Sequence, residues 1–128
     1  MANPASLTIN KLSANSSIAQ QAAQTADTNG TINCPVKSLT DRLFIELVNA
    51  DDAAVDVTVL AGTGAQAHQA RDLKVTLSAS GGGSDAKLLG PLSSSRFVKA
   101  DGSIDVKVQA AAGAPNLSIR VYQLPHQL

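Results

Sequence analysis

Apolar residues recur at every second position in five short runs: Leu43/Ile45/Leu47, Val55/Val57/Val59, Leu73/Val75/Leu77, Ile104/Val106/Val108 and Leu117/Ile119/Val121. Polar residues fill most of the gaps: Asp56 and Thr58, Lys74 and Thr76, Asp105 and Lys107, Ser118 and Arg120. A strand points successive side chains to opposite faces, so each run predicts a strand with one buried and one wet face. Arg42 to Asn49 is the exception. Phe44 and Val48 make both of its faces partly hydrophobic, which places this strand in the interior of a sheet.

Turn residues and weaker patterns supply the remaining elements. Leu7 and Ile9 alternate within Ser6 to Leu12 and then the pattern stops, as in a short edge strand or an arm that pairs elsewhere. Ser13 to Asn29 is rich in Ser, Ala, Gln, Thr and Asn and predicts a long loop. Asn29-Gly30 predicts a tight turn with glycine at positive φ, followed by a strand over Thr31 to Cys34 that Pro35 ends. Asn49-Ala-Asp-Asp predicts a hairpin between Arg42–Asn49 and Ala54–Leu60. Short strands are expected at Ala86 to Leu89 and Arg96 to Lys99 around Gly90-Pro91. Asp101-Gly102 predicts a second hairpin, into Ile104–Val108. Eight or nine short strands spaced about 8 to 14 residues apart favour stacked sheets over an α/β fold. The predicted fold is all-β: a single-domain antiparallel β-sandwich, jelly-roll-like, with an extended N-terminal arm. Residues 1–12 form the arm or edge strand, and residues 13–128 form the sandwich domain.

Composition narrows the reading. A chain of 128 residues suffices for one core and buries roughly two-thirds of its unfolded surface. With two Phe, one Tyr and no Trp, that core is aliphatic. Ten Lys plus Arg balance ten Asp plus Glu with neither sign in a block, so neither nucleic acid nor an anionic membrane is an expected partner. One cysteine, Cys34, makes no intramolecular disulfide, which fits folding in a reducing cytosol. No basic-then-apolar leader and no apolar run of ~20 residues is visible.

Candidate chemistry is sparse. His68 and His126 lack a neighbouring His, Cys or carboxylate cluster at metal-ligand spacing and read as loop and tail residues. Cys34 has no nearby base and reads as a small buried hydrophobe. Gly62-Thr-Gly64 and Gly81-Gly-Gly-Ser-Asp-Ala-Lys87 lack the full phosphate-loop patterns and read as hairpin and linker glycines. Asp51-Asp52 and Asp101 with Asp105 do not match a calcium loop and read as turn residues. The triplets at Asn15, Asn29 and Asn116 fit the glycosylation pattern without a secretion signal. Ser93-Ser-Ser95 offers nucleophiles without a base. The expectation is a protein that is not an enzyme and uses no cofactor and no metal.

Along Asp72-Leu-Lys-Val-Thr-Leu, Leu89-Gly-Pro-Leu92, Arg96-Phe-Val-Lys-Ala-Asp-Gly-Ser-Ile-Asp-Val-Lys-Val108 and Leu117–Leu124, after Asn29-Gly30 and Leu47-Val-Asn49, the order of motifs resembles the head decoration proteins of tailed bacteriophages. The resemblance spans Asn29 to Leu124. Leu92 stands where an aromatic is common, and Ala50–Ala54 is charged where the family is neutral. It implies a β-sandwich on the outside of an icosahedral phage capsid, made in the host bacterial cytoplasm, that reinforces contacts between subunits of the major capsid protein. It further implies a homo-oligomer, a trimer foremost. The N-terminal arm is the expected place of capsid or oligomer contact, through Ser6, Leu7, Thr8 and Ile9. Two other functions fit the same composition: another virion β-module (a minor capsid, tail-tube or tail-tip protein), and a carbohydrate-binding or adhesin-like sandwich. The scarcity of aromatics disfavours the last.

Overall fold

The five stripes all turn inward. In the computed structural model, which describes residues 3–12, 17, 19, 22–35, 43–63, 71–79, 85–92 and 94–124, every stripe residue is buried except Leu73 and Val75, which are half-buried and pack on the core. Among the described residues the strands are β1 (Ile9–Lys11), β2 (Gln24–Ala26), β3 (Gly30–Cys34), β4 (Leu43–Asn49), β5 (Val55–Val59), β6 (Leu73–Leu77), β7 (Asp85–Leu89), β8 (Ile104–Ala110) and β9 (Leu117–Gln123). One helical turn, α1, covers Ser94–Phe97.

The strands form two sheets. The β9 sheet runs β1-β9-β4-β7, with β2 also on β9, and the β8 sheet runs β3-β8-β5-β6. The inner faces meet in one aliphatic core, to which Leu7, Ala26, Ile32, Cys34, Leu92 and Phe97 add their side chains. Pairing is antiparallel except at β1, which runs parallel to β9 with Ile9 beside Val121 and Lys11 beside Gln123. β1 and β2 share one edge of β9 end to end, β2 covering Leu117–Ile119 and β1 covering Val121–Gln123.

The structure corrects several local expectations. β4 and β5 are not a hairpin: β4 pairs with β7 and β9, and β5 with β6 and β8. The Asn49 side chain makes this corner an arch between sheets. Fully buried, it donates to Ala53 O (3.1 Å) and Ser78 O (2.8 Å) and accepts from the Asp51 amide (3.0 Å). Asn29-Gly30 is likewise a passage between sheets, from β2 to β3, and Gly30 is not among the positive-φ glycines. Asn29 holds it by accepting from Ala110 N (2.8 Å) and donating to Gly113 O (3.2 Å). Within the expected 13–29 loop, Gln24–Ala26 forms β2.

Arg96–Phe97 lies in α1 and not in a strand. Phe97 is in the core, and the Arg96 guanidinium sits 4.8 Å above its ring while donating to Arg71 O and Asp72 O. The Asp101-Gly102 turn is present, with Gly102 at φ +83° and its N–H bonded to Lys99 O, but it links that turn of helix to β8 in place of two strands. At Gly90, φ is +129° and a Cβ would come within 2.7 Å of Leu43 O, so only glycine fits between β7 and the cis Gly90-Pro91 bond.

Candidate functional site

Among the described residues no three His, Cys, Asp or Glu side chains gather where a metal could bind. Cys34 is buried in the core, where burial pushes its thiol up to about 12. Several acidic side chains bond within the protein. Asp101 accepts from the backbone and hydroxyl of Ser103 (3.1 and 2.6 Å), and that hydroxyl chiefly holds its carboxyl below the usual range. Asp105 accepts from Asn33 Nδ2 (3.0 Å) and pairs with Lys99 (3.0 Å). At the corner after β4 the Asp51 amide donates to Asn49 Oδ1 and the Asp52 amide donates to Asp51 Oδ1. Gly62 serves packing: a Cβ there would lie 2.2 Å from Val98 O. His68, His126, Gly64, residues 81–84, Ser93 and Asn15 lie outside the described residues.

The four residues singled out for external contact do not converge. Leu7 is 1% exposed in this chain's own core and Ile9 packs half-buried against it, leaving the Ser6 and Thr8 side chains outward. The segment is laid along the seam of the sandwich. Ser6 bridges to Asn33 of the β8 sheet, Leu7 N donates to Asn33 O (2.9 Å), and β1 then joins the β9 sheet. Gln24 completes the seam by accepting from Thr8 N (2.7 Å) and donating to Ser6 O (2.9 Å), an amide standing in for a strand neighbour. Asn3 accepts from the amides of Asp27 and Thr28.

The opposite seam is closed by side chains. Asp85 and Lys87 of β7 reach across to the end of β6: Ser78 N donates to Asp85 (2.8 Å) and Lys87 Nζ donates to Thr76 O (2.8 Å). Charged side chains at a sheet edge keep it from recruiting further strands.

The two outer faces differ in kind. On the β8 sheet the outward positions are Thr31 and Asn33, Asp105, Lys107 and Gln109, Asp56 and Thr58, Lys74 and Thr76, all polar. They are cross-linked by the Lys74–Asp56 ion pair (3.3 Å) and the Thr76 hydroxyl on Asp56 (2.6 Å), which chiefly lowers the Asp56 carboxyl. On the β9 sheet the outward positions of β7, β4 and β9 are Ala86 and Leu88, then Phe44, Glu46 and Val48, then Ser118, Arg120 and Tyr122. Phe44 lies opposite Tyr122, and Glu46 lies between Arg120 and Leu88. Arg120 donates to Glu46 at 2.9 Å, so the two central charges neutralise one another. Among the described residues Leu88 is the exposed large hydrophobic side chain, at 69%. It borders an open concavity of about 450 Å³ lined by Glu46, Val48, Ala86, Lys87 and Leu88. A signal of this face is present in the sequence, since Phe44 and Val48 occupy gaps that hold polar residues in the other stripes.

No family model, curated protein or solved structure matches this chain.

Proposed function

We propose that this chain is a virion structural protein of a tailed phage, a head decoration protein that binds the outside of the capsid and stabilises contacts between major capsid subunits. It works by contact, without a catalytic step, a cofactor or a metal, as a homo-oligomer with the trimer foremost. The observation that carries this reading is the contrast between the two outer faces: one wholly polar and internally cross-linked, the other with five apolar or aromatic positions of eight around a paired Glu46 and Arg120. Apolar side chains left at the surface of a small domain, here Leu88 and Ala86 exposed beside half-buried Phe44, Val48 and Tyr122, mark a surface that meets another protein. The order of turn motifs from Asn29 to Leu124 supports the phage setting, and the closed seams suit a domain that must stay discrete while crowded on a repeating surface.

Mass spectrometry of purified phage particles from a lysate encoding this chain tests the proposal. The expected result is the chain in head fractions at a stoichiometry comparable to the major capsid protein. Its absence from particles overturns the reading, and its confinement to tail fractions replaces it with that of a tail-tube or tail-tip protein.

A further inference from the structure

We infer that the outward face of β7, β4 and β9, centred on Leu88 and Val48, is the surface that seats on the shell, against an apolar, uncharged projection of the major capsid subunit. This rests on the decoration reading above and names the site that reading requires.

The chemistry of the patch selects the partner. The acid and base at its centre, Glu46 and Arg120, are already paired at 2.9 Å across adjacent strands. A charged partner would have to break that pair to gain one of its own, whereas an apolar partner leaves it intact and covers Leu88, Val48, Ala86, Phe44 and Tyr122. The Lys87 ammonium, at the edge of the concavity, is held on Thr76 O of the neighbouring sheet. The concavity of about 450 Å³ beside Leu88 has room for apolar side chains entering from outside.

The size of the patch selects the setting. Three strands at ~4.8 Å spacing and five to seven residues at ~3.3 Å each span a flat area of roughly 300 Å². A stable two-body interface buries about 800 Å² per partner. A patch this small does not hold a lone dimer together, but it suffices where several copies in one oligomer engage a repeating lattice together, since linked weak contacts multiply. This favours the shell over a second copy of the chain as the occupant.

The test is co-sedimentation with shells assembled from the major capsid protein alone, using wild type, Leu88→Asp, Val48→Asp and, on the polar face, Gln109→Asp. Circular dichroism and urea midpoints verify that each variant folds, and Leu88→Ser serves if Leu88→Asp does not. The expected result is that wild type and Gln109→Asp bind alike, while the Leu88 and Val48 variants bind roughly tenfold or more weakly, as losing one buried aliphatic side chain implies. If wild type binds and the Leu88 and Val48 variants bind equally well, the face is misassigned while the decoration function stands. If the wild type itself fails to bind shells, the decoration reading falls first. Loss of self-association in Leu88→Asp, with shell binding intact, would make this face a contact between copies and overturn the inference.

Discussion

Replacing Leu7 with Ala asks whether the N-terminal segment is a free arm or part of the core. Leu7 is 1% exposed and lies between the sheets, with its N–H on Asn33 O. The substitution removes three carbons from the interior, a transfer loss of ~2.4 kcal/mol at ~0.8 kcal/mol per buried methylene. A cavity that does not collapse adds about 2 kcal/mol more, so the full range is roughly 2.5 to 4.5 kcal/mol. The low end is expected, because Leu7 sits at a seam where Gln24 and β1 can close inward. Urea unfolding followed by circular dichroism reads this as a fall in midpoint with unchanged slope. Thr8→Ala is the control: its side chain is exposed and its bond to Gln24 runs through the backbone, so its midpoint should move little. A Leu7→Ala loss below ~1 kcal/mol would refute the placement of this segment in the core.

Gly62→Ala should destabilise by about 1–3 kcal/mol or more, because its Cβ would collide with the Val98 carbonyl, backbone that cannot swing aside; an unchanged urea midpoint would contradict that packing. Cys34, buried and with its thiol pushed up to about 12, should resist Ellman's reagent at pH 8 in native buffer and react fully in denaturing urea; rapid native labelling would place it at the surface. Asp56 and Asp101 have folded pKa values below the ordinary 3.8, held there first by the hydroxyls of Thr76 and Ser103. Their contribution is therefore complete above that value and fades as the pH falls below it toward the folded values. Urea midpoints of wild type should drop as the pH is taken below 3.8, and the Asp56→Asn/Asp101→Asn double variant should drop less; equal acid sensitivity would deny both carboxylates that role.

The period-two stripes identified β4, β5, β6, β8 and β9 with their buried faces, because alternation follows from backbone geometry alone. They could not say which strand pairs with which. β4 and β5 both bury one face in the same core with a short turn-rich link between them, and the buried amide of Asn49, bonded to Ser78 O far along the sequence, turns that link into an arch. β2 carried no stripe, since Ala26 is its one core residue. Arg96–Lys99 has strand-like composition, but Phe97 reaches the core from a helical turn that Arg96 pins to Arg71 and Asp72. The parallel pairing of β1 follows from long-range contacts that no local pattern encodes. The candidate surface was half legible: Phe44 and Val48 marked β4 as apolar on both sides, but the patch exists only once β7 brings Leu88 and Ala86 alongside.

An electron-microscopy reconstruction of purified particles tests the central claim most directly. The account predicts density for a two-sheet sandwich on the outer surface of the head, with the Leu88 and Val48 face turned toward the shell and the Lys107 and Asp56 face toward solvent. A head without such density, or a sandwich seated by its polar face, would contradict it.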